Sequence, residues 1–309
     1  MKKILLAILA DELYSNRFSD YISHHKNILD FMVFTSVNSL EAFTRHSKID
    51  ILLTDSSMAC LIADIKGIQK VILLSDGNYT GQQEYPAIFK YQPAGQILKE
   101  IFDQIAEDDK IAGVAQAYSS KQLELIAVFS AFGGSGASTY ARNLCSSMAE
   151  GSSVLYINME IFDSFAEFEI TPDNRYEYIR GMSEVIFYIK QKKNKLAFKL
   201  SSVTNHHSDG YSYILPVEDY RDLYSITTDD MEYFTDVLSK ETIYEKVVFD
   251  VGYVNEASLR LFGICDVLLL PEPADIFQEN KQNSFKRLLM RNGMDKTADN
   301  LKIVSMKKR

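Results

Sequence analysis

The sequence predicts an α/β chain built from two parallel sheets in series, each flanked by helices. Three observations carry this. Short apolar, β-branched runs recur, and each ends in a polar residue: Ile4 to Ala10 before Asp11, Ile51 to Thr54 before Asp55, Val71 to Leu74 before Ser75, Leu125 to Phe129 before Ser130, Val247 to Phe249 before Asp250. Segments with helical spacing alternate with these runs, the pattern of strand–helix–strand units. A glycine-rich turn, Ser130 to Thr139, joins one such strand to one such helix.

A chain of 309 residues is long enough for about two domains. Apolar residues make up 46% and charged residues 24%, so a sizeable core forms without cross-links. The net charge of −9 argues against a nucleic-acid surface, whose affinity comes from neutralising phosphates. Cys60, Cys145 and Cys265 show no CxxC spacing, which speaks against a metal or disulfide framework and fits a reducing cytoplasm. Met1 to Ala10 superficially resembles a signal peptide. Its apolar run is short, though, and passes directly into Asp11-Glu12, so a buried strand explains it better. No apolar run approaches the ~18 residues of a membrane span. A cytoplasmic protein is expected, one that meets a membrane only peripherally or through partners.

In the first third, strands are expected at Ile4 to Ala10, Phe31 to Thr35, Ile51 to Thr54, Val71 to Leu74 and Ala87 to Phe89, with helices at Phe18 to His25, Leu40 to His46 and Gly95 to Ala106. The last of these places Ile97, Leu98, Ile101, Phe102 and Ile105 on one side. Asn78 to Pro86 has no helical pattern and reads as a loop. Domain boundaries follow from composition: a first domain over 1–106, a polar linker over 107–122 containing Glu107-Asp108-Asp109 and Ser119-Ser120, and a second domain over 123–309.

Sites in such sheets lie beyond the carboxyl ends of the strands. In the first domain the polar residues there are Asp11, Glu12, Asp55, Ser75 and Lys90. The set resembles that of response-regulator receiver domains, which have a flavodoxin-like parallel sheet. The resemblance implies Mg²⁺ held by Asp11, Glu12 and Asp55, with Asp55 as phosphoacceptor, Ser75 as the sensing hydroxyl and Lys90 as its cationic partner. The chain after Asp55 and after Ser75 is short for full helices, so the receiver would be atypical. The other reading is that these residues cap strand ends in a docking module.

In the second domain Gly133, Gly134, Ser135, Gly136, Ala137, Ser138 and Thr139 form a candidate phosphate cradle. Glycines allow the backbone to turn at positive φ and to present N–H groups, and a helix N-terminus adds partial positive charge. Ser138 is a candidate Mg²⁺ ligand. The lysine of a working phosphate-binding loop is missing, because Ala137 occupies its place. A tight strand-to-helix turn without a ligand is the alternative. Downstream, strands are expected at Ser153 to Ile157, Tyr211 to Pro216, Lys246 to Asp250, Asp266 to Leu270 and Leu301 to Val304. Helices are expected at Gly181 to Gln191, Asp229 to Leu238 capped by Thr227 or Thr228, Leu259 to Cys265 and Ile276 to Met290. Lys190, Lys192, Lys193, Lys195 and Lys199 form the densest basic segment, read as a solvated helix end or as a membrane or partner patch. His206-His207 is a poor metal pair, because adjacent side chains diverge.

The loop resembles the deviant phosphate-binding motif K-G-G-x-G-K-[ST]-T of the ParA/MinD ATPases, with Phe132 in place of the signature lysine. Together with Asn158-Met159-Glu160, Val247 to Gly252 and Asp266 to Pro273, the two-domain order is similar to the TadZ/CpaE branch of that superfamily. The resemblance implies a P-loop α/β domain binding ATP or ADP with Mg²⁺ through Ser138 and Asp250, with Pro271 and Pro273 beside the adenine. Asn158 and Glu160 stand where the family has acids near the attacking water. With both lysines absent, hydrolysis is expected to be weak at most. The family also implies a homodimer and a role in localising or assembling Tad (Flp) pilus machinery, at a cell pole or the inner face of the membrane. The alternative is a receiver-type regulatory or docking protein with an empty pseudo-ATPase domain. Phe132 would either make an apolar contact across a dimer or pack inside its own domain.

Overall fold

The computed structural model describes residues 4–22, 29–77, 85–108, 123–162, 181–192 and 195–306. The chain forms two compact units, Met1–Ala117 with Ala197–Ser202, and Tyr118–Leu196 with Val203–Arg309. Most of the 107–122 segment, the loop from Asn78, the end of the helix expected to reach His25, and Lys193 lie outside the described residues.

The first unit holds a five-stranded parallel sheet. Its strands are β1 (Ile4–Leu9), β2 (Leu29–Val33), β3 (Ile49–Asp55), β4 (Ile68–Ser75) and β5 (Ala87–Phe89). The spatial order is β2-β1-β3-β4-β5, one of the doubly wound orders. The central strands β1 and β3 are apolar along nearly their whole length because both faces are covered. Helix α1 (Glu12–Ile22) starts earlier than its apolar spacing suggested, since the Asp11 carboxylate accepts the Tyr14 N–H at 3.1 Å and caps it. Helix α2 (Val37–Thr44) is capped by Ser36 in the same way. After β3 comes a single 3₁₀ turn and a one-turn helix, α3 (Ala59–Ile62), the short element that the chain length demanded. Helix α4 (Ala94–Glu107) buries Ile97, Leu98, Ile101, Phe102 and Ile105, the face expected from its spacing.

Residues 197–202, the body of α7 (Leu196–Val203), group with this first unit. Phe198 packs on Phe102 at 6.1 Å between ring centroids, and Lys199 pairs with Asp103 where both side chains are almost fully buried.

The second unit holds a seven-stranded sheet of order β12-β11-β6-β10-β7-β9-β8. Its strands are β6 (Glu124–Phe129), β7 (Val154–Met159), β8 (Thr204–His206), β9 (Ser212–Ile214), β10 (Lys246–Val251), β11 (Val267–Pro271) and β12 (Lys302–Val304). All neighbours pair in parallel except β8 with β9. Helix α5 (Ala137–Ala149) packs Ala141 and Cys145 against Ile126, Val128, Tyr156 and Val248. The alternate residues of these strands meet other helices. Phe129 lies 5.3 Å from Phe262 in α10 (Glu256–Ile264) and 4.6 Å from Phe285 in α11 (Ile276–Arg291), and Phe249 lies 6.3 Å from Phe234 in α9 (Thr228–Glu241). Thr227 is the N-cap of α9, in a reciprocal pair with Asp230. Helix α6 (Met182–Lys190) buries Met182, Val185, Ile186 and Ile189, so that stripe is core.

Among the described residues no helix is long and apolar enough to cross a membrane. Among the described lysines of the basic segment, Lys190 and Lys192 are exposed. Lys190 bonds Asp230 at 2.8 Å and the Ser225 carbonyl at 2.7 Å, and Lys195 and Lys199 are buried. Both readings of this segment fail for Lys195 and Lys199, which are buried, and the pairing with Asp103 lets the Lys199 ammonium be taken out of water. The two histidines are also engaged locally. His206 Nδ1 meets Ser212 Oγ at 3.1 Å, and His207 stacks on Tyr211.

Candidate functional site

The glycine-rich turn spans the gap between β6, which lies next to the central strand β10, and α5. Gly134 and Gly136 adopt φ of +71° and +82°. Gly136 is the N-cap of α5, and a Cβ there would sit 3.0 Å from the Met306 carbonyl oxygen. Glycine is thus required at this position both by backbone conformation and by space. Ser130 Oγ donates to the Phe132 carbonyl at 2.5 Å, and Ser135 Oγ accepts the Ala137 N–H at 3.3 Å, so two serines hold the turn in shape. The Phe132 ring is only 7% exposed. It packs inside its own unit, so it is not available for the cross-dimer contact that its position at the loop had suggested.

A cavity of about 470 Å³ opens over this turn. It is lined by the whole of Ser130 to Thr139, with Glu160, Phe162, Asp250, Val251 and Gly252 as the facing wall. Gly133, Gly134, Ser135, Gly136, Ala137, Ser138 and Thr139 all reach it. Pro271 and Pro273 do not line it, and the Pro271 carbonyl accepts a bond from Gln282 at 3.0 Å.

Asp250 is the last residue but one of β10, which lies beside both β6 and β7, and it lines the cavity with the loop. Ser138 shares a hydrogen bond with it, and the Tyr156 hydroxyl donates to Oδ2 at 2.8 Å. Burial, followed by the negative charge of Glu160, pushes the Asp250 pKa up to about 7, against the pull of those two hydroxyls and of Arg142. Burial, then the Asp250 charge, likewise pushes the Tyr156 hydroxyl far up. Arg142 is half-buried and its charge acts on both groups, so full exposure on the helix surface is not its fate.

Tyr156 is the member that sequence reading missed. The register pairs Asp250 with Asn158 and Val248 with Tyr156, which puts Tyr156 diagonally across from Asp250 on the same face. A tyrosine in a fully buried strand needs a partner for its hydroxyl, and that was the available signal. Asn158 is 2% exposed, and its Oδ1 accepts the Glu160 N–H at 2.7 Å. It positions the Glu160 backbone and is not part of the cavity wall. Oxygen donors from Ser138 and Asp250, which both line the cavity, suit a hard cation such as Mg²⁺. No group of three His, Cys, Asp or Glu side chains among the described residues is arranged to hold a metal.

No protein-family model matches the sequence, and no significant match occurs among curated proteins. Partial similarity to solved structures is found. A ParA family ATPase from Chlorobium tepidum is 13% identical with a TM-score of 0.48, the match covering 60% of this chain and 74% of that one. A plasmid partition protein from Borrelia burgdorferi is 17% identical with a TM-score of 0.44, covering 60% and 78%. A cobyrinic acid a,c-diamide synthase from Mycobacterium smegmatis, solved with an ATP analogue and magnesium, is 15% identical with a TM-score of 0.44, covering 59% and 72%.

The first unit has a second constellation, at the switch point of its sheet. Lys90 Nζ lies 2.6 Å from Asp55 Oδ1, and the Asp11 N–H meets Asp55 Oδ2 at 3.3 Å. The Lys90 N–H bonds the Ser75 carbonyl at 2.7 Å, and Ser75 Oγ accepts the Gly77 N–H at 3.2 Å. Lys90 Nζ also sits 5.0 Å over the Tyr14 ring, whose hydroxyl is pushed up to about 12 by burial and by the Asp55 charge. Asp55, Lys90, Asp11 and Ser75 are thus drawn together. The Asp11 carboxylate is used in capping α1, and Glu12 is exposed in the first turn of that helix.

Proposed function

We propose that the second unit is a ParA/MinD-like nucleotide-binding module with little or no ATPase activity, and that the chain serves as a localisation or assembly factor. The observation that carries this reading is one cavity in which a glycine-rich loop at a helix N-terminus, Ser138 included, faces Asp250, with no lysine or arginine among the described residues that line it. Backbone N–H groups of Gly133 to Thr139 would hold the phosphates of ATP or ADP. Ser138 and Asp250 would hold Mg²⁺, which when bound neutralises phosphate charge. Phosphoryl transfer depends on positive groups aimed at the transferring phosphate. Phe132 and Ala137 supply none, and Asn158, an amide, cannot act as a base. The expected outcome is binding with slow or absent turnover. Calorimetry and thermal shift with Mg²⁺–ATP and Mg²⁺–ADP test it. No heat and no shift at millimolar nucleotide would leave an empty adaptor, and turnover typical of an active ATPase would equally refute the reading.

The resemblance to the TadZ/CpaE branch supports a service role for Tad (Flp) pilus or similar cell-pole machinery, with pilus or secretion assembly proteins as partners and a homodimer as the working form. A fluorescent fusion that stays uniformly cytoplasmic, and pili that assemble normally without the protein, would count against that role.

A second reading is favoured by the Lys90–Asp55 pair: the first unit as an atypical receiver, with Asp55 as phosphoacceptor and Asp11, Glu12 and Asp55 around Mg²⁺. Acetyl phosphate or beryllofluoride with Mg²⁺ should then shift mass or melting temperature, and Asp55→Asn should abolish the shift. No shift in the wild type would leave the unit as a docking module.

A further inference from the structure

We propose that the second unit pairs with a second copy of itself through one helical face, the basic stripe of α11 lying over the acidic stripe of α9. This rests on the homodimer reading and names the surface that forms the dimer. Phe132 is buried in its own unit, so an apolar contact at the loop does not supply that surface.

Charge in the second unit is divided along the sequence. From Glu218 to Glu256 there are eleven acids and three lysines or arginines, and from Lys281 to Arg309 there are nine lysines and arginines and two acids. The fold sets parts of both stretches on one side of the sheet. Phe129 and Phe249 project from the same face, since the register pairs Phe129 with Val251 and Ala127 with Phe249. Phe249 meets Phe234 of α9, while Phe129 meets Phe262 of α10 and Phe285 of α11. Phe262 also meets Phe285, and Arg260 of α10 bonds Glu232 of α9 at 2.6 Å. The order across this face is therefore α9, α10, α11.

The outward sides of the two flanking helices differ in sign. On α9, burial of Met231, Phe234 and Leu238 turns Asp229, Glu232 and Asp236 to solvent, at i, i+3 and i+7. On α11, burial of Gln282, Phe285 and Leu289 turns Arg287 and Arg291 to solvent one turn apart, with exposed Lys281 beside them. Among the described residues no acid pairs with these three cations, and Arg287 bonds only the Ser284 hydroxyl, at 2.9 Å. Glu232 and Asp236 do have cationic neighbours, Arg260 and Lys240. All four side chains are about half exposed, and ion pairs in water hold their members weakly.

A two-fold axis running along α10 sets α9 of each copy over α11 of the other, so unlike charges meet in both contacts. An axis across the helices would set α11 on α11 and α9 on α9, and like charges reject it. Phe277 and Leu288, exposed on α11, add apolar area to the contact. A nucleic acid or an anionic lipid surface could use only the α11 stripe and would be repelled by the α9 stripe on the same face. A second copy satisfies both.

The test is sedimentation of the full chain at tens of micromolar, without nucleotide or metal. The wild type should dimerise, and should do so roughly tenfold or more weakly at about 1 M salt than at about 0.05 M. Asp229→Lys with Asp236→Lys, and Arg287→Glu with Arg291→Glu, should each be monomeric, because each variant sets like charges together in both contacts. An equal mixture of the two should dimerise, because both of its contacts are again between unlike charges, and that recovery shows that both variants are folded. A dimer in either variant alone would overturn the proposal and leave a homodimer on another face. Two monomeric variants whose mixture stays monomeric would also overturn it, since the stripes then do not meet. A wild type that is monomeric throughout would overturn the homodimer reading and this proposal with it. Its capture by phosphatidylglycerol vesicles or duplex DNA, lost in Arg287→Glu with Arg291→Glu, would then assign the α11 stripe to a polyanion.

Discussion

Replacing Asp250 with asparagine should make the protein more stable at alkaline pH than the wild type, although it removes a residue assigned to the site. Asp250 is 1% exposed, and its pKa rises from the ordinary 3.8 to about 7 on folding. Burial is the main cause and the Glu160 charge the second. A carboxyl with a higher pKa folded than unfolded holds its proton more tightly in the native state. Its contribution to stability is therefore fully present below about pH 4 and falls as pH rises through about 7. At about 1.4 kcal/mol per pH unit, the part of that loss falling between about pH 5 and about pH 8 comes to about 3 kcal/mol. Asparagine has the same shape, accepts from Tyr156 or Ser138, and has no proton to lose in this range. Urea unfolding of both proteins across that range, without nucleotide or metal, measures the difference. The gap between variant and wild type should widen with pH by about 3 kcal/mol, since every other titrating group is common to both. Parallel pH profiles would show that Asp250 is ionised in the folded state with no penalty, and would refute the reasoning.

Four further outcomes are expected. Mg²⁺–ADP should raise the wild-type melting temperature more at about pH 8 than at about pH 6, because a cation ligand must be deprotonated and the Asp250 proton has to leave. Gly136→Ala should cost roughly 1–2 kcal/mol from its left-handed φ alone, and more from the Met306 carbonyl, whereas Gly133→Ala, with open space around it, should be nearly neutral in thermal melts. Lys199→Met should cost roughly 3–5 kcal/mol by taking the ammonium away from the buried Asp103, and Asp103→Leu in the same chain should recover much of it in urea titrations. Phe132→Ala should lower stability by about 3 kcal/mol by opening a cavity in its own unit, and sedimentation with and without ATP should show association unchanged.

The strands were legible because each is a short apolar run with both faces covered, and a parallel sheet demands that pattern. The loop was legible for a related reason. Its glycines sit where the turn from β6 to α5 needs positive φ, and Gly136 in addition faces Met306. Helix starts were less legible where a side chain set them. The Asp11 carboxylate caps α1 and starts it one turn and more before the helix that the apolar spacing suggested. Helix α7 was not legible at all. Its partners, Phe102 and Asp103, come 96 residues earlier in the chain, and no local periodicity reports a pairing at that separation.

Lysine is where local reading and structure part most sharply, and the reason bears on function. A lysine in a polar stretch reads as solvated, because burying an unpaired ammonium is costly. Here several are paired internally: Lys90 with Asp55, Lys190 with Asp230, Lys199 with Asp103. Moving any of them would take the ammonium from its carboxylate, and for the nearly fully buried Asp103 that loss is severe. Within the second unit, Lys190 has the further tie to the Ser225 carbonyl. None of these three is a ready substitute for the cation that positions 132 and 137 lack. The loop's glycines, its serines and the carboxylate opposite together shape the cavity. Among the described residues that line it, none is a lysine or arginine that would stabilise charge developing on a transferring phosphoryl. Under the proposed reading, shape without that charge suits a site that binds and holds, and whose output is a conformation or a complex.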